Sequence, residues 1–218
     1  YYMKLTKILL TSALLGASIL SFHSTVAAMD FGTQVGIDAY RKKDFAQAAE
    51  QFKDAGIVRG DAKAQLFLGR MYYEGEFFKQ DYVEAAKWYR KAAEQGEEYG
   101  LLFLGEMYEN GEGVEKDYAE AIKLYRKAVE QGSVAGLVGL GSMYRFGKGV
   151  EKDYAEAIKL YSKAAEQGDF MALFFLGDMY ANGLGVKQNK VKAKELFKKS
   201  CKQGSEEACE ALKSYNKK

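Results

Sequence analysis

The chain has 218 residues, with 32 Lys+Arg against 30 Asp+Glu, 23 glycines, two cysteines, one histidine and no proline. His23 falls in a segment read below as a cleaved leader. Serine–histidine and cysteine–histidine catalysis and every histidine metal site are thereby excluded from the mature chain. Removing that segment also removes Lys4 and Lys7 and no acid, leaving a net charge of zero and no global attraction to nucleic acid.

Residues 1–28 have the layout of a secretory signal. Met3-Lys4-Leu5-Thr6-Lys7 is a short positive start, Ile8 to Phe22 is an apolar run, and Val26-Ala27-Ala28 offers small residues to a signal peptidase. The run is short for a membrane span, although an uncleaved anchor helix is the alternative. No cysteine follows it to carry a lipid. Tyr1-Tyr2 ahead of Met3 reads as non-native. The expectation is export, cleavage after Ala28 and a periplasmic or secreted protein with no integral membrane segment left.

The rest of the chain is a repeat. Leu-Gly pairs fall at Leu68-Gly69, Leu104-Gly105, Leu140-Gly141 and Leu176-Gly177, each 36 residues after the last. Met71-Tyr72, Met107-Tyr108, Met143-Tyr144 and Met179-Tyr180 keep step, a regularity expected of stacked repeats. Within a period, Leu68, Met71 and Tyr72 share one helical stripe, and Ala85, Trp88, Tyr89 and Ala92 share another. Each period is therefore a pair of helices. Asp81, Asp117 and Asp153 precede the second helix, with Glu84, Glu120 and Glu156 at capping-box spacing. Gly96, Gly132 and Gly168 stand where that helix ends. Gly69 and its equivalents lie inside a helix at a cost of about 0.5–1 kcal/mol, which implies a close helix–helix approach.

The expected organisation is a first hairpin over 29–60, with Gly36, Tyr40, Phe45, Ala48, Phe52 and Ala55 as its packing residues. Four 36-residue repeats over 61–204 follow, and then a capping helix over 205–218. Lys213, Lys217 and Lys218 suit the polar outer face that a terminal unit needs.

Leu68-Gly69-Arg70-Met71-Tyr72-x-x-Gly75, followed by Asp81-Tyr82-x-x-Ala85-x-x-Trp88-Tyr89-x-x-Ala92-Ala93-Glu94-Gln95-Gly96, resembles the Sel-one-like repeat, a relative of the tetratricopeptide repeat. The first hairpin is similar to a tetratricopeptide unit. Two departures stand out. The family's usual proline before the second helix is absent, and Phe77 takes the place of the loop glycine at Gly113, Gly149 and Gly185. The resemblance implies an all-α fold, a right-handed α/α superhelical solenoid of antiparallel helix pairs. It also implies a non-enzymatic scaffold for a protein or peptide ligand, in envelope signalling or host interaction, with no cofactor.

Cys201 and Cys209 are the only pair. In one continuous helix they would lie about 12 Å apart, beyond disulfide reach. Gly204-Ser205 should fold them across a hairpin and allow a disulfide; a redox or metal-thiolate role is the alternative, though two thiolates make half a zinc site. Cys-x7-Cys here also resembles the helicobacter cysteine-rich proteins, solenoids stapled once per repeat. That likeness carries the alternative function, a weak β-lactamase or penicillin-binding activity, for which no residue constellation is present.

In this class the first helix of each pair lines the concave surface. The stripe left free by the packing positions runs through Arg70, Tyr73 and Glu74, then Glu106, Glu109 and Asn110. It continues through Ser142, Arg145 and Phe146, then Phe174, Asp178 and Asn182. Here the repeats disagree, whereas the packing positions agree. A surface relieved of the repeat constraint is a candidate binding face, and Arg and aromatic residues are its natural anchors. Other patterns carry less. The Glu106–Glu115 run lacks a calcium-loop spacing, Gly147-Lys148-Gly149 lacks the phosphate-loop pattern, and Ser214-x-x-Lys217 lies at the chain end without supporting motifs.

Overall fold

The computed structural model describes residues 31–216, so the leader at 1–28 and the last two lysines lie outside the described residues. Every regular element among them is helical. The chain divides into two compact units at Asp81/Tyr82.

The first unit contains α1 (31–41), α2 (Phe45–Lys53) and α3 (Ala62–Glu74). The Asp44 carboxylate starts α2 by accepting from the Gln47 N–H at 3.1 Å, and Asp61 starts α3 by accepting from the Ala64 N–H at 2.7 Å. Ala48, Ala49, Phe52 and Ala55 form the buried face, and the Phe52 and Phe67 rings stack at 4.8 Å. A Cβ on Gly36 would stand 2.6 Å from the Phe52 ring, which is why this position has no side chain. Beyond the expected hairpin, α2 widens into a π-helical turn over Asp54–Val58. The Gln65 side-chain amide donates to the Gly56 carbonyl at 3.0 Å inside the fold, satisfying backbone that the wider turn leaves open.

The second unit alternates α4 (Tyr82–Glu94), α5 (Glu98–Asn110), α6 (Tyr118–Glu130), α7 (Val134–Phe146), α8 (Tyr154–Glu166), α9 (Phe170–Asn182), α10 (Lys190–Lys202) and α11 (Glu206–Asn216). Each helix packs on its neighbours in sequence, with the pairs α5/α6, α7/α8 and α9/α10 in the most extensive contact. The first helix of each pair ends on a left-handed glycine, Gly111, Gly147 or Gly183, whose N–H returns to the carbonyl of Met107, Met143 or Met179. Gly96, Gly132 and Gly168 also have positive φ at the ends of the second helices.

The capping box is only half formed. Asp117 and Asp153 accept from the N–H groups of the first turn, as the spacing predicts. Glu120 and Glu156 instead hold Lys123 and Lys159 one turn further on. The N–H groups that these glutamates would have reached, those of Asp117 and Asp153, already donate at 2.9 Å to the carbonyls of Tyr108 and Tyr144.

The cores rest on small-for-large exchange. A Cβ built on Gly105, Gly141 or Gly177 would come within 2.6–2.8 Å of a ring carbon of Tyr125, Tyr161 or Phe197, so each mid-helix glycine admits an aromatic from the second helix. Around Tyr161 pack Leu137, Ala157, Ala164, Ala172, Leu176 and Met179, all buried. Full burial of an aliphatic side chain of the Leu or Met class contributes about 1.5–3 kcal/mol. At the far end Ala193, Phe197 and Ala208 are covered by Leu212 and Tyr215 of α11. Cys201 and Cys209 are joined by a disulfide with a Cα–Cα distance of 4.7 Å, across the turn at Gly204.

Candidate functional site

In the second unit, the positions at which the repeats differ lie on α5, α7 and α9, and direct side-chain bonds tie one helix to the next. Arg145 of α7 pairs with Asp178 of α9. Glu109 of α5 accepts from Lys148, just past α7, at 2.7 Å. The same stripe is braced from below. The Tyr125 hydroxyl donates to Glu109 at 3.0 Å, and the Tyr161 hydroxyl shares a 3.0 Å hydrogen bond with Ser142. The two tyrosine rings that fill glycine notches therefore project their hydroxyls onto the stripe. Burial first, then the charges of Glu109 and Glu106, raises the Tyr125 hydroxyl well above its ordinary range, so it stays a donor. Burial raises Tyr161 as well.

The individual residues divide into two kinds. Glu106, Asn110, Phe146 and Asn182 are exposed, Phe146 at 52%. Glu109, Ser142, Arg145 and Asp178 are partly buried and engaged with the protein itself. The Arg145 side chain is only 13% exposed, with its guanidinium 4.9 Å from the Phe146 ring centroid and 5.6 Å from that of Phe175. Asn182 donates to Asp178 at 2.7 Å. Phe174 is half-buried against Phe175 and Phe197 and belongs largely to the C-terminal core. Leu102, one turn before Glu106 on the same stripe, is 6% exposed, so this end of the stripe closes into the core.

Glu106 is exposed as a residue, yet its carboxyl is shifted by its surroundings. Desolvation raises its pKa, and the charges of Glu109 and Glu112 raise it further. In the sequence Lys148 stands out only through its place between Gly147 and Gly149. Its 39-residue offset from Glu109 follows no repeat register, so nothing in the periodicity pointed to it.

In the first unit, Arg70 is exposed with its guanidinium 5.4 Å from the Tyr40 ring centroid. Tyr73 is half-buried, with its carbonyl accepting from Gln80 at 2.8 Å, and Glu74 is exposed. Among the described residues there is no group of three or more His, Cys, Asp or Glu placed to hold a metal ion, and no helix long and apolar enough to cross a membrane.

The Sel1 repeat profile matches residues 62–97, 99–133, 134–169 and 170–205, more than half of the chain. The chain belongs to the Sel1 repeat family. Its helix pairs are similar to those of a Sel1 repeat protein from Oxalobacter formigenes, at 35% identity and a TM-score of 0.75 over 83% of this chain and 73% of that one. A protective antigen of uropathogenic Escherichia coli with an SLR fold matches at 38% identity and a TM-score of 0.72, over 84% of this chain and 40% of its own. The cysteine-rich protein B of Helicobacter pylori matches at 34% identity and a TM-score of 0.48, over 61% of this chain and 96% of its own. A sel1-like repeat-containing protein of Acanthamoeba polyphaga mimivirus is 48% identical over 42 residues, and the chain spans only 7% of its length. Sel1 repeats are in general non-enzymatic scaffolds, and the fold is consistent with protein–protein interaction.

Proposed function

We propose that this Sel1 repeat protein is an exported scaffold that binds a protein or peptide through the face built from α5, α7 and α9, in the envelope or at a host surface. The observation that carries the reading is the division of labour along these helices. Leu104, Leu140, Leu176 and the methionines three residues on recur and are buried, whereas Glu106, Ser142 and Asp178, which differ, share a single side tied together by Arg145–Asp178 and Glu109–Lys148. A surface with a fixed frame and unlike side chains is what a specific interface needs. Arg70, Tyr73 and Glu74 are proposed as binding residues of the first unit in its own right. The signal-like segment and the Cys201–Cys209 disulfide both favour an oxidising compartment. The likeness to a protective antigen supports a host-facing role.

The test is affinity capture from envelope and host-cell extracts by the oxidised protein, with mass spectrometry. The comparison is a variant carrying Glu106→Ala, Asn110→Ala and Phe146→Ala, exposed positions whose loss leaves the helix-to-helix bonds intact. A partner held by the wild type and lost by the variant, with unchanged circular dichroism, is the expected result. A partner retained equally by both, or none recovered from either extract, would count against this face.

A further inference from the structure

The first unit contains a cleft of roughly 360 Å3. Its walls are apolar. Ile37 and Tyr40 come from α1, Phe45 from the start of α2 and Phe67 from α3. The Tyr40 ring meets Phe45 and Phe67 edge-on, each at 5.4 Å between centroids.

The polar groups around these walls are unequal. Glu76, the only carboxylate in the lining among the described residues, already accepts the Tyr40 hydroxyl. Arg41 is loosely tied at 3.4 Å to Asp38, which also accepts from Gln34. Arg70 lies over the Tyr40 ring and has no ion pair among the described residues. Lys43 likewise has none. It also stands in the left-handed region, with φ at 62°, where a helix ordinarily ends on glycine. The Asp44 N–H reaches back to Ala39 and the Lys43 N–H to Tyr40, which is the bonding pattern of a glycine-terminated helix. A long cation thus occupies a strained position at the mouth of an aromatic cleft, where glycine would be easier to accommodate.

We propose that this cleft binds a carboxylate carried on a single aromatic ring or a short apolar body, the body lying against Tyr40, Phe45 and Phe67 and the carboxylate meeting Arg70 and Lys43. The volume suits one ring with its headgroup, at the small end of ligand sites. An arginine fork and a lysine are the usual receivers of such an anion. Glu76 already brings a negative charge to the lining, so a ligand with a second negative charge is disfavoured. Two sources share this chemistry, a free aromatic acid and the C-terminal residue of a protein.

The experiment is calorimetric titration of the full-length protein with three probes: 3-phenylpropionate, the peptide Gly-Gly-Gly-Phe with a free C-terminus, and the same peptide amidated. At least one acid should saturate below about 1 mM, and the amide should bind about tenfold more weakly than the acid peptide. The free acid binding at least as well as the peptide assigns the site to small molecules, and the peptide binding more tightly assigns it to a protein terminus. Arg70→Met and Lys43→Gly should each weaken the better acid about tenfold. Lys43→Gly relieves the left-handed strain, so its melting temperature should rise, which separates loss of binding from loss of folding. Saturation by the amide equal to that by the peptide acid, affinity for the better acid unchanged by either substitution, or no saturation by either acid would overturn the proposal.

Discussion

Gly141 of α7 faces the ring of Tyr161 of α8 so closely that a Cβ on the glycine would stand 2.6 Å from Cε1. Tyr161 is fully buried and cannot step aside. Gly141→Ala should therefore destabilise the protein by about 1–2 kcal/mol. Overpacking costs roughly 1–3 kcal/mol, and the better helix propensity of alanine returns up to about 1 kcal/mol. Urea unfolding followed by circular dichroism measures the difference. A variant as stable as the parent would mean that the two helices are held apart by something other than this notch.

The opposite sign is expected at Phe77. Its φ of 66° matches the 65–68° of Gly113, Gly149 and Gly185 at the same place in later repeats. A left-handed non-glycine residue costs about 1–2 kcal/mol, and part of that is recovered by the smaller chain entropy of the unfolded state. Phe77 is 57% exposed, so little burial is lost with its ring. Phe77→Gly should raise stability by about 0.5–1 kcal/mol. Gly113→Ala should do the reverse by about 2 kcal/mol or more, because its Cβ would lie 2.1 Å from the Tyr82 carbonyl oxygen, which is backbone and cannot move away cheaply. Thermal melts of the two variants side by side test both signs.

The sequence made the frame legible because the frame repeats. Leu104, Gly105 and Met107 recur every 36 residues, and their burial follows from one spacing rule applied again and again. The stripe was legible as a location, but its internal chemistry was not. Lys148 reaches Glu109 across 39 residues and Arg145 reaches Asp178 across 33, offsets on either side of the period, so no register argument pairs them. Glu120 has the capping-box spacing but turns to Lys123, since the N–H it would have served belongs to the Tyr108 carbonyl. That competition becomes visible only once the loop between the helices has a shape. The first-unit cleft was hidden for a similar reason. Tyr40 and Lys43 stand at the end of α1 whereas Arg70 lies on α3, and nothing in the spacing announces that Arg70 meets the other two.

Glu106 sets a pH dependence whose direction is unusual for a carboxylate. Burial, then Glu109 and Glu112, raises its folded pKa above the ordinary 4.5, so the folded state binds the proton more readily than the unfolded chain does. Between 4.5 and the raised value the contribution of this group to stability falls as pH rises, and the penalty is complete above that value. Glu106→Gln removes the charge without removing the shape. It should raise the unfolding midpoint at pH 7 and leave it nearly unchanged near pH 4, where the parent is already protonated. Equal gains at both pH values would show that the charge of Glu106 is not the cause.

The terminal staple should matter for stability. The Cys201–Cys209 bridge closes a short loop between α10 and α11, and chain entropy assigns such a loop about 2–3 kcal/mol. Cys201→Ser/Cys209→Ser should lose about that much in urea unfolding, with the loss concentrated in the last helix. Hydrogen exchange of 206–216 should accelerate more than that of 154–166. Uniform acceleration along the second unit would contradict a local role.

Arg145 and Asp178 should behave as one unit. The arginine side chain is 13% exposed and the aspartate 29%, so removing either partner strands the other with little water to replace it. Asp178→Ala also takes the acceptor from Asn182, whereas Arg145→Ala also takes a cation from above Phe175. Each single variant should lose about 1–3 kcal/mol, in the range of hydrogen bonds to charged groups. The double variant should lose clearly less than the sum, by about 1 kcal/mol. A double-mutant cycle in urea supplies that coupling directly. Additive losses would mean that the two side chains are held independently. In that case the frame beneath Glu106 and Phe146 would have to come from the tyrosine hydroxyls and Lys148 alone, and Tyr125→Phe would be the substitution with the larger effect on binding.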